Sequence, residues 1–315
     1  MDYIKEISSN RQLLHKLIDN SFTKSTIRVH KRCSSLGNNV QEPDFIADLC
    51  INWASELMSI LKLVLTSKFQ VSLTSVFCHQ KPLADFGQKP RPELGDLLLV
   101  FKFADKKKLT TINSLLLQAK MSSSPQIHVP AGDTQLHLYE KWPKYKYARA
   151  AHLNGCSRDI FPKTTTQGAK YLLIDPSSIF TLEQYGTFTY GCAMTNSLLT
   201  LNSDLASEII SFLQFINGRN IDNNGNITED WSQMIWDLLS ITKGKMTRRK
   251  NMGIGNFPRQ ATSNFDGCYF INIDQLNSSY YSDIIDELGG DYTNGNLNED
   301  DGGVSTVFIE INENE

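Results

Sequence analysis

Three residues in the middle of the chain have types and spacing suited to phosphodiester chemistry: Asp96, which opens the apolar run LLLVFKF, and Gln118 and Lys120, which close the next run, INSLLLQAK. Side chains alternate along a strand, so Gln118 and Lys120 share one face and Ala119 points to the other. The two runs, 97–103 and 112–120, are joined by the polar turn ADKKK and read as a β-hairpin whose strands are apolar enough to be buried on both faces. Antiparallel pairing then returns the end of the second strand to the start of the first, so Asp96 meets Gln118 and Lys120. Asp and Lys are rarely buried unless paired, and a carboxylate, an amide and an ammonium at the edge of a buried hairpin call for a chemical reason. Asp96, the Gln118 side-chain oxygen and the Ala119 carbonyl are hard oxygen donors of the kind that hold Mg²⁺. Lys120 could orient an attacking water and stabilise charge on a scissile phosphate. The plainer reading is that Asp96 caps its strand and Lys120 snorkels from the end of its own.

The order Gly95-Asp96, a hairpin's length of chain, then Gln118-x-Lys120 resembles the PD-(D/E)xK restriction-endonuclease-like nucleases in their Q-x-K variant. The resemblance covers roughly residues 43–175. It implies an α/β fold with a restriction-endonuclease-like core, a central mixed sheet flanked by helices, and an endonuclease centre that uses Mg²⁺, with Mn²⁺ as the alternative ion. By position it makes Asp96 the first metal-binding acid, Gln118 the second ligand, Ala119 a carbonyl ligand and Lys120 the catalytic lysine. Some members add a glutamate, for which Glu56 on an early helix and Glu93 are the candidates. The segment Gln135-Leu-His-Leu-Tyr-Glu-Lys-Trp-Pro-Lys-Tyr resembles stretches that follow the lysine and would supply a supporting helix. A role in microbial antiviral defence, and a homodimer to cut both strands of a duplex, follow from the resemblance alone. Two departures stand out: Gly95 occupies the place of the namesake proline, and Gln118 replaces an acid, leaving one negative charge fewer for a cation. The alternative is therefore a nuclease-like nucleic-acid-binding or assembly protein that has lost its metal.

Charge is unevenly spread along the 315 residues, whose net charge is only −3. Lys102 to Lys170 carries twelve Lys/Arg against four Asp/Glu, whereas Tyr281 to Glu315 carries ten acidic residues and no Lys or Arg. The basic middle suits a polyanion, DNA more than RNA, with Lys141, Lys144 and Lys146 as phosphate contacts and Arg248, Arg249 and Lys250 as a second group. The acidic end allows a third reading, an effector restrained by that segment or by a regulatory partner protein.

The elements that must position these residues follow from periodicity. Helices are expected over ~3–19 and ~43–66 with a polar connection at 28–39, then a strand at 69–79, the hairpin, and a helical stretch at 136–151. AKYLLI at 169–174 reads as a core strand, 203–217 and 228–242 as helices, 243–260 as a mobile basic loop, and 268–273 and 304–311 as late strands. The expected division is an N-terminal helix and connection (1–42), a nuclease core (43–175) and a C-terminal α+β elaboration (176–315).

Other chemistries find little support. Residues 220–231 match part of a calcium loop, but Trp231 stands where the bidentate glutamate belongs, so the stretch reads as a helix connection with Thr228 as a cap. Gly253-Ile-Gly255 lacks the rest of a dinucleotide motif, no phosphate-binding G-x-x-x-x-G-K-[ST] occurs, and the six histidines form no metal pair, although His79 and His128 fall in loops that could approach the hairpin. Six cysteines without a C-x-x-C pair, no bilayer-length apolar run and no secretory signal point to reduced thiols in a cytoplasmic protein without a membrane span.

Overall fold

The computed structural model describes residues 2–35, 37–78, 82–177, 180–182, 186–243, 270–272 and 303–314. Arg248, Arg249, Lys250, the 244–260 loop, His79, Cys268 and most of the acidic segment lie outside the described residues.

The chain opens with α1 (Asp2–Ser9) and α2 (Arg11–Ser35). The second helix runs through the stretch expected as a polar connection, for a reason that lies in distant residues. Ser25, Thr26, Val29 and Cys33 are buried along one face, while Arg28 and Arg32 find a counter-charge in the fully buried Asp48 at 2.9 and 3.5 Å. The second expected helix divides into α3 (Glu42–Asp48), a π-helical turn (Leu49–Trp53) and α4 (Ala54–Val64).

Strands follow as β1 (Phe69–Val76), β2 (Leu83–Asp85), β3 (Leu97–Ala104), β4 (Thr110–Met121) and β5 (Gln126–His128). After α5 (Thr134–Lys141) come β6 (Tyr145–Ala148), β7 (Ser157–Arg158) and β8 (Ala169–Ile174). The 136–151 stretch is thus a helix and then a strand, not one helix. Trp142 closes α5 in the left-handed region at φ 40°, and Pro143, lacking an N–H, cannot continue it. The hairpin β9 (Phe180–Leu182) and β10 (Gly186–Phe188) precedes β11 (Tyr190–Ala193) and β12 (Leu198–Asp204). The chain finishes with α6 (Leu205–Leu213), β13 (Arg219–Ile221), α7 (Asp230–Lys243), β14 (Phe270–Asn272) and β15 (Ser305–Glu313).

The result is an α/β protein with a nine-strand mixed sheet in the order β14-β1-β15-β3-β4-β8-β11-β12-β5, with β13 alongside β4. The parallel pairs are β15 with β3 and β4 with β8. β15 lies between β1 and β3, so the end of the chain supplies an inner strand of this sheet rather than an appended one. A small sheet, β2-β6-β7, sits apart from it.

Residue parity along the inner strands defines two cores. Leu97, Leu99, Leu115, Leu117, Ala119 and Leu172 pack with α1, α2, α4 and α6, while Leu98, Val100, Leu116, Tyr171 and Leu173 pack with α5 and α7. In the partial calcium match, Asp222 Oδ2 accepts from Thr228 N at 2.7 Å and Thr228 Oγ1 at 2.8 Å, so Thr228 is tied back to its own loop and α7 starts at Asp230. Cys33, Cys50, Cys78 and Cys192 are buried free thiols and Cys156 is exposed. No described helix is long and apolar enough to cross a membrane.

Candidate active site

β3 and β4 form the antiparallel hairpin expected from their apolar runs, in a register from Leu97↔Leu117 to Ala104↔Thr110. Continued by one residue, that register places Asp96 opposite Gln118, and Asp96 N donates to Leu117 O at 2.8 Å. Asp96 is fully buried. Its Oδ2 accepts from Ala119 N at 2.6 Å and from Gln118 Nε2. Gln118 is buried as well, and its Oε1 has no hydrogen-bond partner. Lys120, two residues further along the same face of β4, is half-buried.

The loop that delivers Asp96 is held at several points. Leu83 and Glu93 form a β-bridge, Ala84 N donates to Pro92 O at 2.9 Å, and Leu94 N donates to Pro82 O at 2.9 Å. α5 clamps it from above. Asp133 caps the helix by accepting from Leu136 N at 2.8 Å, Thr134 Oγ1 donates to Pro90 O at 2.7 Å, and one turn on Tyr139 OH donates to Leu94 O at 2.9 Å. The segment expected to supply a supporting helix thus sits directly on the Asp96 loop. A Cβ on Gly95 would meet Leu116 Cδ1 at 2.6 Å and the Tyr139 hydroxyl at 3.2 Å. A pyrrolidine ring has no room.

The two candidate glutamates separate. Glu93 is half-buried in the Asp96 loop, close enough to Tyr139 to act on its phenol, which burial and then the Tyr171 and Glu93 charges push well above the ordinary range. Glu56 lies on α4, on the opposite side of the sheet, where it pairs with Arg28 and, at 4.0 Å, with Lys24. The structure does not bring Glu56 to Asp96, because its charge is already spent in joining α4 to α2. Lys141, Lys144 and Lys146 are exposed at the end of α5 and along β6, where Tyr145 and Tyr147 take the inward positions. His128 sits on the short strand β5, paired with Leu198 of β12.

Tertiary pairing adds residues that the spacing did not single out. β8 runs parallel to β4 with Tyr171 beside Gln118, and the buried Tyr171 hydroxyl has no partner. Gln135, in the first turn of α5, is also buried with an unpartnered Nε2. The string AKYLLI signals only a core strand, and which strand it joins depends on the crossover through α5.

Among the described residues, no three His, Cys, Asp or Glu side chains come together as a metal centre. The donor set around Asp96 is one carboxylate, one amide and one backbone carbonyl. These are hard oxygens of the kind an oxygen-seeking divalent ion takes, but Gln118 turns its Nε2 rather than its Oε1 to Asp96, so its oxygen would join such a set only after rotation of the amide. The set's single negative charge makes the attraction weaker than two carboxylates would give. Compared with known protein families, with curated proteins and with solved structures, the chain matches none.

Proposed function

We propose that the chain is a metal-dependent nuclease with a restriction-endonuclease-like core, acting on DNA in preference to RNA. The observation that carries this reading is the buried Asp96 opposite Gln118 at the mouth of the hairpin, with Lys120 on the same face and an amide oxygen left without a partner. A purely structural role for this pair leaves the buried Gln118 amide oxygen unexplained.

Asp96, Gln118 through its oxygen, and the Ala119 carbonyl would hold Mg²⁺ or Mn²⁺, which would supply Lewis-acid polarisation of the phosphate and lower the pKa of a water. The Gln118 amide turns over to do this, releasing its Nε2 bond to Asp96. Lys120 orients the attacking water and stabilises the charge that grows on the phosphate oxygens. The water oxygen bonds to phosphorus as the bond to the leaving sugar oxygen breaks. The water gives a proton to solvent and the leaving oxygen takes one up. The exposed Lys141, Lys144 and Lys146 beside α5 track the backbone.

The test is cleavage of linear and circular DNA and of RNA with Mg²⁺ or Mn²⁺ by the parent, Asp96→Ala and Lys120→Ala. Loss of about 100-fold or more in both variants, each still folding cooperatively, is the expected result. Equal cleavage by all three would remove the site assignment. Nucleic-acid binding without cleavage under either metal would favour the alternative, a nuclease-like binding protein, for which the Gln118 Nε2 bond to Asp96 is the resting arrangement.

A further inference from the structure

Asp96, Gln118 and Tyr171 form one row across three adjacent strands, since the β3–β4 register continues to Asp96–Gln118 and the parallel β4–β8 register pairs Gln118 with Tyr171. All three project to the α5 side of the sheet. Strands lie about 4.8 Å apart, so the Tyr171 backbone lies roughly 10 Å from that of Asp96. The Tyr171 ring packs on Tyr139 with centroids 5.7 Å apart. Its hydroxyl, fully buried, makes no hydrogen bond.

An orphaned hydroxyl by itself marks nothing. Tyr3 carries one in the apolar core on the other side of the sheet, stacked on Phe103. Tyr171 differs in its company: the next position in its row is Gln118, whose Oε1 is orphaned too, and Gln135 of the overlying helix has an orphaned Nε2. Packing against Tyr139 would be served as well by phenylalanine, without the cost of about 1–3 kcal/mol for an unsatisfied buried polar group. A buried polar group without a partner calls for an explanation, of which a ligand is one. A phenol is a neutral O–H donor at neutral pH.

We propose that Tyr171 is a further substrate-contacting residue of the site, its hydroxyl donating a hydrogen bond to a non-bridging oxygen of the phosphate held above Asp96 and Gln118. This rests on the nuclease reading for its substrate, although the chemistry it asserts, phosphate recognition beside the carboxylate, can be read without turnover. Neutral donation suits the place. A second cation beside Lys120 would compete with the metal, whereas an O–H stabilises developing charge without repelling it.

The variant is Tyr171→Phe in the full chain, which keeps the ring and removes one oxygen. Three readouts separate the outcomes. In metal-free buffer the melting temperature rises, because the orphaned hydroxyl is gone; a fall would show a structural partner and overturn the proposal. With Mn²⁺ and inorganic phosphate as the probe, the parent gains a phosphate-dependent rise in melting temperature that the variant loses. A parent without that rise, or a variant that retains it, overturns the proposal. On a duplex oligonucleotide with Mn²⁺, kcat falls about 10- to 100-fold with little change in KM and an unchanged pH profile. A variant cleaving at the parental rate also overturns it. If the parent does not cleave but the phosphate shift is present and depends on Tyr171, the nuclease reading fails while the phosphate contact stands.

Discussion

Two buried polar groupings, one on each face of the central sheet, are arranged differently. On the face covered by α2 and α6, Lys170 of β8 is 7% exposed and Glu208 of α6 is 3% exposed, and the two meet at 2.5 Å, with Ser203 Oγ reaching the other Glu208 oxygen at 3.3 Å. Close by, His15 of α2 bonds Asp204 at 3.0 Å, and Asp204 also caps α6 by accepting from Ser207 N at 2.8 Å. These groups join elements together. On the face covered by α5, Asp96 sits opposite an amide with an unpartnered oxygen, next to a tyrosine with an unpartnered hydroxyl. The paired groups join elements of the fold, whereas the unpartnered Gln118 oxygen and Tyr171 hydroxyl are a cost to it.

The largest expected effect tests the paired groups. Glu208→Ala strands Lys170 without its carboxylate and should cost about 3–5 kcal/mol in urea unfolding, whereas Lys170→Met combined with Glu208→Leu should be close to neutral. A similar loss in the double variant would mean that the ion pair is not the stabilising unit. On the α5 side, Gln118→Glu places a second carboxylate against Asp96. The metal-free protein should lose about 2 kcal/mol by like-charge repulsion and desolvation, and Mn²⁺ should restore stability more strongly than it raises the parent. A metal-free protein as stable as the parent would show that the row is more open to water than its burial indicates.

Gly95→Ala is the next in size. Its Cβ meets Leu116 and the Tyr139 hydroxyl, so about 1–3 kcal/mol should be lost, with the Asp96 loop loosened ahead of the global transition in hydrogen exchange. Smaller still is the pH dependence of the paired groups. The Asp204 hydrogen bond raises His15 above its ordinary 6.5, burial opposes this, and Asp19 and Asp204 add to it against Arg11. A raised folded-state value means that the contribution is fully present below pH 6.5 and is lost as pH climbs through the raised value. His15→Gln should flatten that slope by up to about 1 kcal/mol, and an unchanged slope would assign it elsewhere. Least is expected of the exposed lysines: Lys144→Ala and Lys146→Ala should each weaken DNA binding without altering cleavage chemistry, and each should reduce the log–log salt slope by about 0.9.

Much of the hairpin could be read from the chain. Two apolar runs around ADKKK leave few alternatives to β3 and β4, and alternation puts Gln118 and Lys120 on one side. Elsewhere local pattern lost to distant partners. Arg28 and Arg32 read as polar connection, whereas Asp48 neutralises them inside a longer α2, and Glu56, a candidate auxiliary acid by resemblance, pairs with Arg28 instead. The strand after α5 was hidden by an apolar spacing that suits helix, although Pro143 marked the place where the helix had to stop.

By itself the sequence determined which residues could share a face, because the alternation of a strand is local and covalent in origin. It also placed the basic middle beside the candidate site. Only the tertiary structure decided what stands next to that face: β8 beside β4 to set Tyr171 against Gln118, α5 over the Asp96 loop, β15 inserted between β1 and β3, and Glu56 on the far side. Strand order and helix docking are settled by which apolar faces bury together, a property of the whole chain that no window of neighbouring residues contains.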